Sequence, residues 1–143
     1  MAVFVLASCG RQEFINGFPV PPEPDPILNN ATIAGIDTNH NGVRDDIERE
    51  IAKIAISYND YNSYMEIQKT NELLLMKNAD TVSIKNRMLH NTCNFSKSDV
   101  PPEITELTLN TEYRKFFFLE NMKHIGGLMT PELSPCPGVN NDL

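Results

Sequence analysis

The stretch from Asp37 to Glu48, DTNHNGVRDDIE, places oxygen-bearing side chains at regular intervals. Asp37, Asn39 and Asn41 occupy alternate positions, and a glycine follows that can adopt the positive φ of a sharp turn. Calcium is a hard cation that prefers six to eight oxygen ligands. This spacing therefore predicts a calcium site. The expected ligands, the fourth through its main-chain carbonyl, are Asp37, Asn39, Asn41, Val43, Asp45 and Glu48.

The pattern D-x-[DN]-x-[DN]-G-x5-E resembles the calcium loop of the EF-hand family. Arg44 stands at position eight, where the family usually has an aliphatic residue that pairs with a partner loop, and the sequence contains no second loop of this pattern. The stretch is therefore more similar to the solitary calcium loops of bacterial surface proteins. Three carboxylates and two amides form a modestly charged site, for which we expect a dissociation constant of about 0.1–1 mM and a structural role.

A turn followed by a capped helix is the simpler interpretation of the same residues. Asn, Asp and Gly favour turns, and an aspartate ahead of an apolar periodic run can cap a helix. That interpretation does not require oxygens at positions one, three, five, nine and twelve together. His40 occupies position four, which is not a ligand position, and we expect its side chain to be solvated.

The longer stretch from Gly35 to Glu48 resembles a group of uncharacterised bacterial lipoproteins that carry G-[IV]-D-x-N-x-N-G-V-R-D-D-[IV]-E. With its flanking segment, the resemblance covers about a quarter of the chain. It implies calcium binding and a location in the cell envelope. It implies no enzymatic activity.

The N-terminus has the pattern of a lipoprotein signal peptide. Residues 1–8 are apolar and then small, and residues 6–9, LASC, resemble the lipobox, in which cleavage precedes a cysteine that then carries acyl chains. We therefore expect a signal peptide over residues 1–8 and lipidation of Cys9. Gly10 favours the outer membrane, because aspartate at that position is the usual signal for inner-membrane retention. The segment has no Lys or Arg, and a buried strand from Val3 to Leu6 is the alternative.

Residues 9–34 are predicted to form an extended, Pro-rich tether behind the lipidated cysteine. Gly17 and the prolines between positions 19 and 26 disfavour regular elements, and VPPEPDP is typical of polyproline conformation. A semi-rigid spacer of this kind would separate a lipid anchor from a folded domain.

Residues 35–143 are predicted to form a small all-α domain of about four to five helices, with the calcium loop preceding the first and an irregular tail at the end. Ile47, Ile51 and Ile54 recur at helical spacing in the first helix. Further helices are expected from about 60 to 78, from about 80 to 94, from Pro102, and from position 110 or 111 to the glycines at 126 and 127.

The last helix is the most apolar of the five. Phe116, Phe117, Phe118 and Leu119 cover more than one of its faces. Apolar helical stripes usually pack inward, so we expect most of this helix in the core. A partly exposed aromatic patch that binds a partner is the alternative.

Two cysteines remain after Cys9 is assigned to lipid. In an oxidising compartment, Cys93 and Cys136 are expected to form a disulfide that ties the tail to the third helix. A zinc site is the competing interpretation, but no compact C-x2-C motif supports it. Its ligands would be His90, Cys93, His124 and Cys136.

Composition and motifs narrow the function. Twelve basic and 19 acidic residues give a net charge of −7, which disfavours nucleic acid as a partner. The sequence contains no G-x-S-x-G, P-loop, H-E-x-x-H or G-x-G-x-x-G motif. We therefore expect a structural or protein-interaction module on the bacterial envelope, anchored to the membrane by lipid, with an envelope protein or wall polymer as its partner. A small envelope hydrolase, or a modulator of one, that uses surface carboxylates is the alternative.

Overall fold

The computed structural model of the protein describes residues 12–94 and 100–126. Over these residues the chain forms a two-stranded sheet followed by helices, so a small helical domain is confirmed, whereas the all-α class is wrong in detail. The elements in chain order are β1 (Glu13–Ile15), β2 (Phe18–Val20), α1 (Pro26–Asn30), α2 (Asp45–Ile54), α3 (Tyr58–Leu74), α4 (Thr81–Asn94), α5 (Pro102–Thr108) and α6 (Glu112–Gly126).

The strands β1 and β2 form an antiparallel hairpin within the segment that was expected to be a tether. Asn16 and Gly17 connect the strands with φ angles of 51° and 86°, as the tight turns that suit a hairpin require. Pro19 pairs with Phe14 in the register, and it is tolerated because β2 is an edge strand. The expectation of an extended tether is therefore wrong for this part of the chain.

The short helix α1 also lies within that segment. Asp25 caps it by accepting hydrogen bonds from the N–H groups of Ile27 at 2.9 Å and Leu28 at 3.0 Å, and Pro26 occupies the first turn. Pro21, Pro22 and Pro24 stand between β2 and this cap, where the chain has no regular structure. The proline-rich stretch is thus a connection between two folded elements.

The helices α2 to α6 correspond to the five that the sequence predicts. The first of these helices ends at Ile54, because Ala55 turns to an extended ψ of 126°, and Ser57 then caps α3 by accepting from the N–H of Asp60 at 3.1 Å. The start of α5 at Pro102 and the end of α6 at Gly126 match the prediction. In the folded chain α2 contacts both α3 and α5.

Two apolar clusters form the core. The first lies between α2, α3 and α5 and comprises Val43, Ile47, Ile51, Tyr64, Met65 and Ile104. The second lies between α3, α4 and α6 and comprises Leu74, Ile84 and Ile125. Val43, in the predicted calcium loop, is fully buried in the first cluster, so its side chain attaches the loop to the core.

The inward face of α6 is more polar than predicted. Arg114, Asn121 and Ile125 are buried, whereas Phe116 and Leu119 are 57% and 58% exposed. The buried residues share one stripe of the helix at i, i+7 and i+11. The two polar members bind main-chain carbonyls, Asn121 donating to those of residues 74 and 76 at 2.7 and 3.0 Å, and this requirement orients the helix.

Among the described helices, none combines the length and the apolar composition needed to cross a bilayer.

Candidate metal centre

The carboxylate of Asp37 accepts hydrogen bonds from the backbone of the predicted calcium loop and so bends the loop around it. Its Oδ1 accepts a hydrogen bond from the N–H of Asn41 at 3.2 Å, and its Oδ2 accepts one from the N–H of Gly42 at 2.9 Å. Two residues in this turn have positive φ angles, His40 at 55° and Gly42 at 85°. Position one thus contacts the main chain at positions five and six, and His40 is exposed, as expected.

The side chains at positions three, five and twelve meet at a single carboxylate oxygen. The Nδ2 groups of Asn39 and Asn41 donate to Oε2 of Glu48 at 3.0 and 2.8 Å. Glu48 lies in the first turn of α2 and is 5% exposed, so the helix fixes the carboxylate against the loop. A glutamate in this place closes a calcium site of EF-hand type.

Asp45, at position nine, is joined to the start of the loop. Its N–H donates to the carbonyl of Ile36 at 2.8 Å, and its carboxylate accepts from the N–H of Thr38 at 3.0 Å. Burial raises the pKa of Asp45, the hydrogen bonds from Thr38 oppose that change, and the neighbouring Asp37 and Glu48 carboxylates raise the pKa further. The three carboxylates therefore repel one another, and a cation between them would relieve that repulsion.

All five predicted side-chain ligands thus belong to one cluster, joined either through the loop backbone or through Glu48. The sixth, Val43, donates its N–H to Oδ1 of Asn41 at 2.9 Å. Both asparagine oxygens are bound to loop N–H groups, and both amide nitrogens face Glu48. Each oxygen keeps a second lone pair. The donor set fits calcium in kind and number, although the two amides would have to turn so that their oxygens share the cation with Glu48.

In the regions 12–94 and 100–126, no three His, Cys, Asp or Glu side chains are grouped so that they could hold a metal by themselves. The three carboxylates of the predicted calcium set, Asp37, Asp45 and Glu48, therefore do not form such a group in this arrangement, and the set depends also on the amides of Asn39 and Asn41 and on the carbonyl of Val43. The turn interpretation accounts for part of the same geometry, since Asp37 caps the turn. It does not account for Glu48, whose side chain faces back towards the loop.

The Arg44 side chain attaches the predicted calcium loop to α5, a role that the sequence did not indicate. Its guanidinium is 1% exposed, forms an ion pair with Asp46 at 2.9 Å, and donates to the carbonyl of Leu107 at 2.9 Å. A cation at the C-terminus of α5 also interacts favourably with that helix dipole. Position eight of the loop therefore pairs with α5, where a paired EF-hand would pair with a second loop.

Arg114 holds the chain that enters the loop. Its side chain is fully buried and donates to the carbonyls of Asn29, Thr32 and Ile33 at 2.8, 3.0 and 3.0 Å. Burial, together with the nearby positive charge of Arg44, lowers the pKa of Arg114 to about 10. The guanidinium thus satisfies main-chain groups that α1 and the following turn leave unpaired.

Gly35 passes between these two arginines. Its φ angle is 65°, and a Cβ atom there would lie 2.6 Å from Cδ of Arg44 and 2.7 Å from Oδ1 of Asn29. Both the positive φ and this close approach require glycine. The glycine that begins the lipoprotein-like stretch is therefore explained by packing.

Glu48 also contacts the hairpin side of the molecule. The Tyr61 hydroxyl donates to its Oε1 at 3.1 Å, and the Tyr61 ring stacks on Phe18 with centroids 4.4 Å apart. Burial and the adjacent carboxylate raise the pKa of Tyr61. Between the loop and the hairpin lies a cleft of about 400 Å³. Its lining includes Glu13, Pro21, Pro22, Thr38, Asn39 and Glu48.

The other sequence-predicted sites are only partly within the described residues. Cys93 is half-buried on α4, whereas Cys9 and Cys136 lie outside the described residues, as does the expected signal peptide. The disulfide and the lipidation therefore stay predictions. The competing zinc ligands His90 and His124 lie on the exposed surface of α4 and α6.

Comparison with protein families, with curated proteins and with solved structures found no match to this chain. The likeness to bacterial lipoproteins thus depends on the sequence stretch itself.

Proposed function

We propose that this protein is a calcium-binding, lipid-anchored protein of the bacterial cell envelope, in which the cation stabilises a small helical module for structure or protein interaction. The observation that carries the proposal is that the side chains at positions three and five of the loop meet Glu48 at position twelve, while Asp37 and Asp45 accept hydrogen bonds from the loop backbone. A turn that only leads into a helix would not require a carboxylate on that helix to point back towards the turn.

Each of the three predicted carboxylate ligands also has a structural task. Asp37 accepts bonds that bend the loop, Asp45 is bonded to Thr38 near the start of the loop, and Glu48 connects the loop to α2. Bound calcium would supply two positive charges among three carboxylates. Since the asparagine amides would exchange their bonds to Glu48 for bonds to the cation, part of the binding free energy is offset, which favours weak binding of about 0.1–1 mM.

Calorimetric titration of the full chain with calcium tests the site. We expect one equivalent to bind, and we expect Asp37→Ala and Glu48→Gln to abolish binding. Glu50→Gln is the matched control, because it removes a carboxylate from the same helix outside the predicted ligand set. Equal binding by the wild type and the two ligand variants would contradict the proposal.

The anchor rests on residues 1–10 alone. In a bacterial host, the wild type should fractionate with membranes and require detergent for release, whereas Cys9→Ser should be released by buffer, because multiple acyl chains give stable anchoring. Fractionation of both forms with the soluble proteins would refute the lipid anchor and leave the calcium site unaffected.

A further inference from the structure

Glu48 faces two parts of the molecule at once. Its Oε2 accepts from the amides of Asn39 and Asn41 in the loop, and its Oε1 accepts from the hydroxyl of Tyr61 on α3. The carboxylate lies in the first turn of α2. A shift of the carboxylate caused by its contacts with the loop would therefore also change its hydrogen bond with the Tyr61 hydroxyl.

Tyr61 in turn contacts the N-terminal hairpin. Its ring is nearly parallel to Phe18 of β2, with an interplanar angle of 6° and a centroid distance of 4.4 Å. Tyr58 lies farther away, with its ring centroid 6.5 Å from that of Phe18, and is 71% exposed. The series Glu48, Tyr61, Phe18 thus connects the loop to the hairpin by direct contacts.

Other contacts attach the hairpin to α2 without passing through the loop. Asn16 donates to the carbonyls of Ala52 and Lys53 at 3.2 and 2.8 Å, and Arg49 pairs with Glu13 at 2.8 Å. The Glu13 partner is half exposed, so water screens this ion pair. These contacts attach the turn and β1 to α2, whereas Phe18 in β2 contacts Tyr61 of α3.

We propose that cation binding by the loop and docking of the hairpin are coupled through Glu48, Tyr61 and Phe18. The inference rests on the proposed calcium site and assigns it a regulatory effect on a second element. A Glu48 carboxylate held by a cation has fewer positions available, while its Oε1 keeps a lone pair for the Tyr61 hydroxyl. The Tyr61 ring is then more firmly placed, and the stacked Phe18 with it. Coupling free energies are reciprocal, so a docked hairpin also favours the cation.

Hydrogen exchange of the full chain, with and without about 10 mM calcium, tests this coupling when calorimetry is run on the same samples. In the wild type, calcium should slow exchange of the amides of residues 13–20. The slowing should be about five- to tenfold greater than the slowing measured in α4, which serves as the reference for general stabilisation. In Tyr61→Phe this slowing should disappear, and the dissociation constant for calcium should rise by the same factor. Tyr58→Phe, which removes a hydroxyl from a neighbouring ring, should behave as the wild type.

The outcomes separate the two proposals. Calcium binding in the wild type without slower exchange in the hairpin would overturn the coupling and leave the calcium site intact. Retention of the full effect in Tyr61→Phe would also overturn it. An absence of calorimetric binding in the wild type would overturn both.

Discussion

Glu72 is a buried acidic residue on α3, away from the predicted calcium loop. It is 7% exposed and accepts from Gln68 Nε2 at 3.1 Å, and Gln68 also donates to Oγ1 of Thr108 at 3.0 Å. Burial raises the pKa of Glu72 to about 6, although Arg44 and Arg114 oppose this. At neutral pH the charged, buried Glu72 carboxylate therefore lowers the stability of the fold, although it belongs to a polar network that supports the loop.

The sign of the pH effect follows from that raised value. Because the folded chain binds the Glu72 proton more tightly than the unfolded chain, its contribution to stability is present below about pH 4.5 and is lost as the pH rises through about 6. The free energy of unfolding of Glu72→Gln minus that of the wild type should therefore increase by up to about 2 kcal/mol between pH 4.5 and 7. Urea unfolding at several pH values measures it, and a constant difference would contradict the assignment.

At this scale, the sequence predicted which side chains meet in the loop, because their spacing is the one that a calcium ion would require, and calcium binding itself stays a prediction. Arg44 and Arg114 could not, since their partners are main-chain carbonyls more than sixty residues away in sequence. Carbonyls belong to every residue, so no pattern marks them. The sequence indicated Gly35 only as part of a motif. The need for glycine there comes from the close approach of Arg44 and Arg114, which the sequence did not predict.

The hairpin is the element that sequence reasoning missed, although its signal was present. Asn-Gly between EFI and FPV is a strong short hairpin pattern, and the many prolines that follow outweighed it. Asp25-Pro26 was likewise a start signal for α1. The five later helices were predicted because their apolar residues recur with helical period and their ends carry Pro, Ser or Gly.

The polar inward face of α6 could not be predicted from the hydrophobic pattern of the helix. The helix carries more aromatic residues than its contact with α3 and α4 can bury, and two inward positions are used for polar contacts. Tyr113, Phe116 and Leu119 therefore remain exposed within the described structure.

Replacement of Arg114 tests how α6 holds the entry to the loop. Arg114→Met keeps much of the side-chain volume but leaves the carbonyls of Asn29, Thr32 and Ile33 unpaired, so we expect a loss of at least about 3 kcal/mol in the free energy of unfolding. Chemical denaturation provides the measurement. The control Lys115→Met changes the neighbouring, exposed residue and should stay within about 0.5 kcal/mol. Similar effects of both substitutions would show that these contacts contribute little.

For the whole molecule, the loop occupies a central position in the described structure. It follows the hairpin and α1, its Val43 belongs to the first core cluster, and Arg44 joins it to α5. A cation bound there would therefore stabilise the entire domain. The net charge of −7 adds to this effect, since a divalent cation reduces self-repulsion of the folded chain.

Thermal melting of the full chain over a calcium series is the most direct test of this account. With a dissociation constant of about 0.1–1 mM, about 10 mM calcium should stabilise the fold by about 1.4–2.7 kcal/mol and raise the melting temperature by several degrees. Asp37→Ala should remove this increase, and Glu50→Gln should retain it. A wild-type melting temperature that stays constant across the series would contradict the account and leave Asp37–Glu48 as a capped turn.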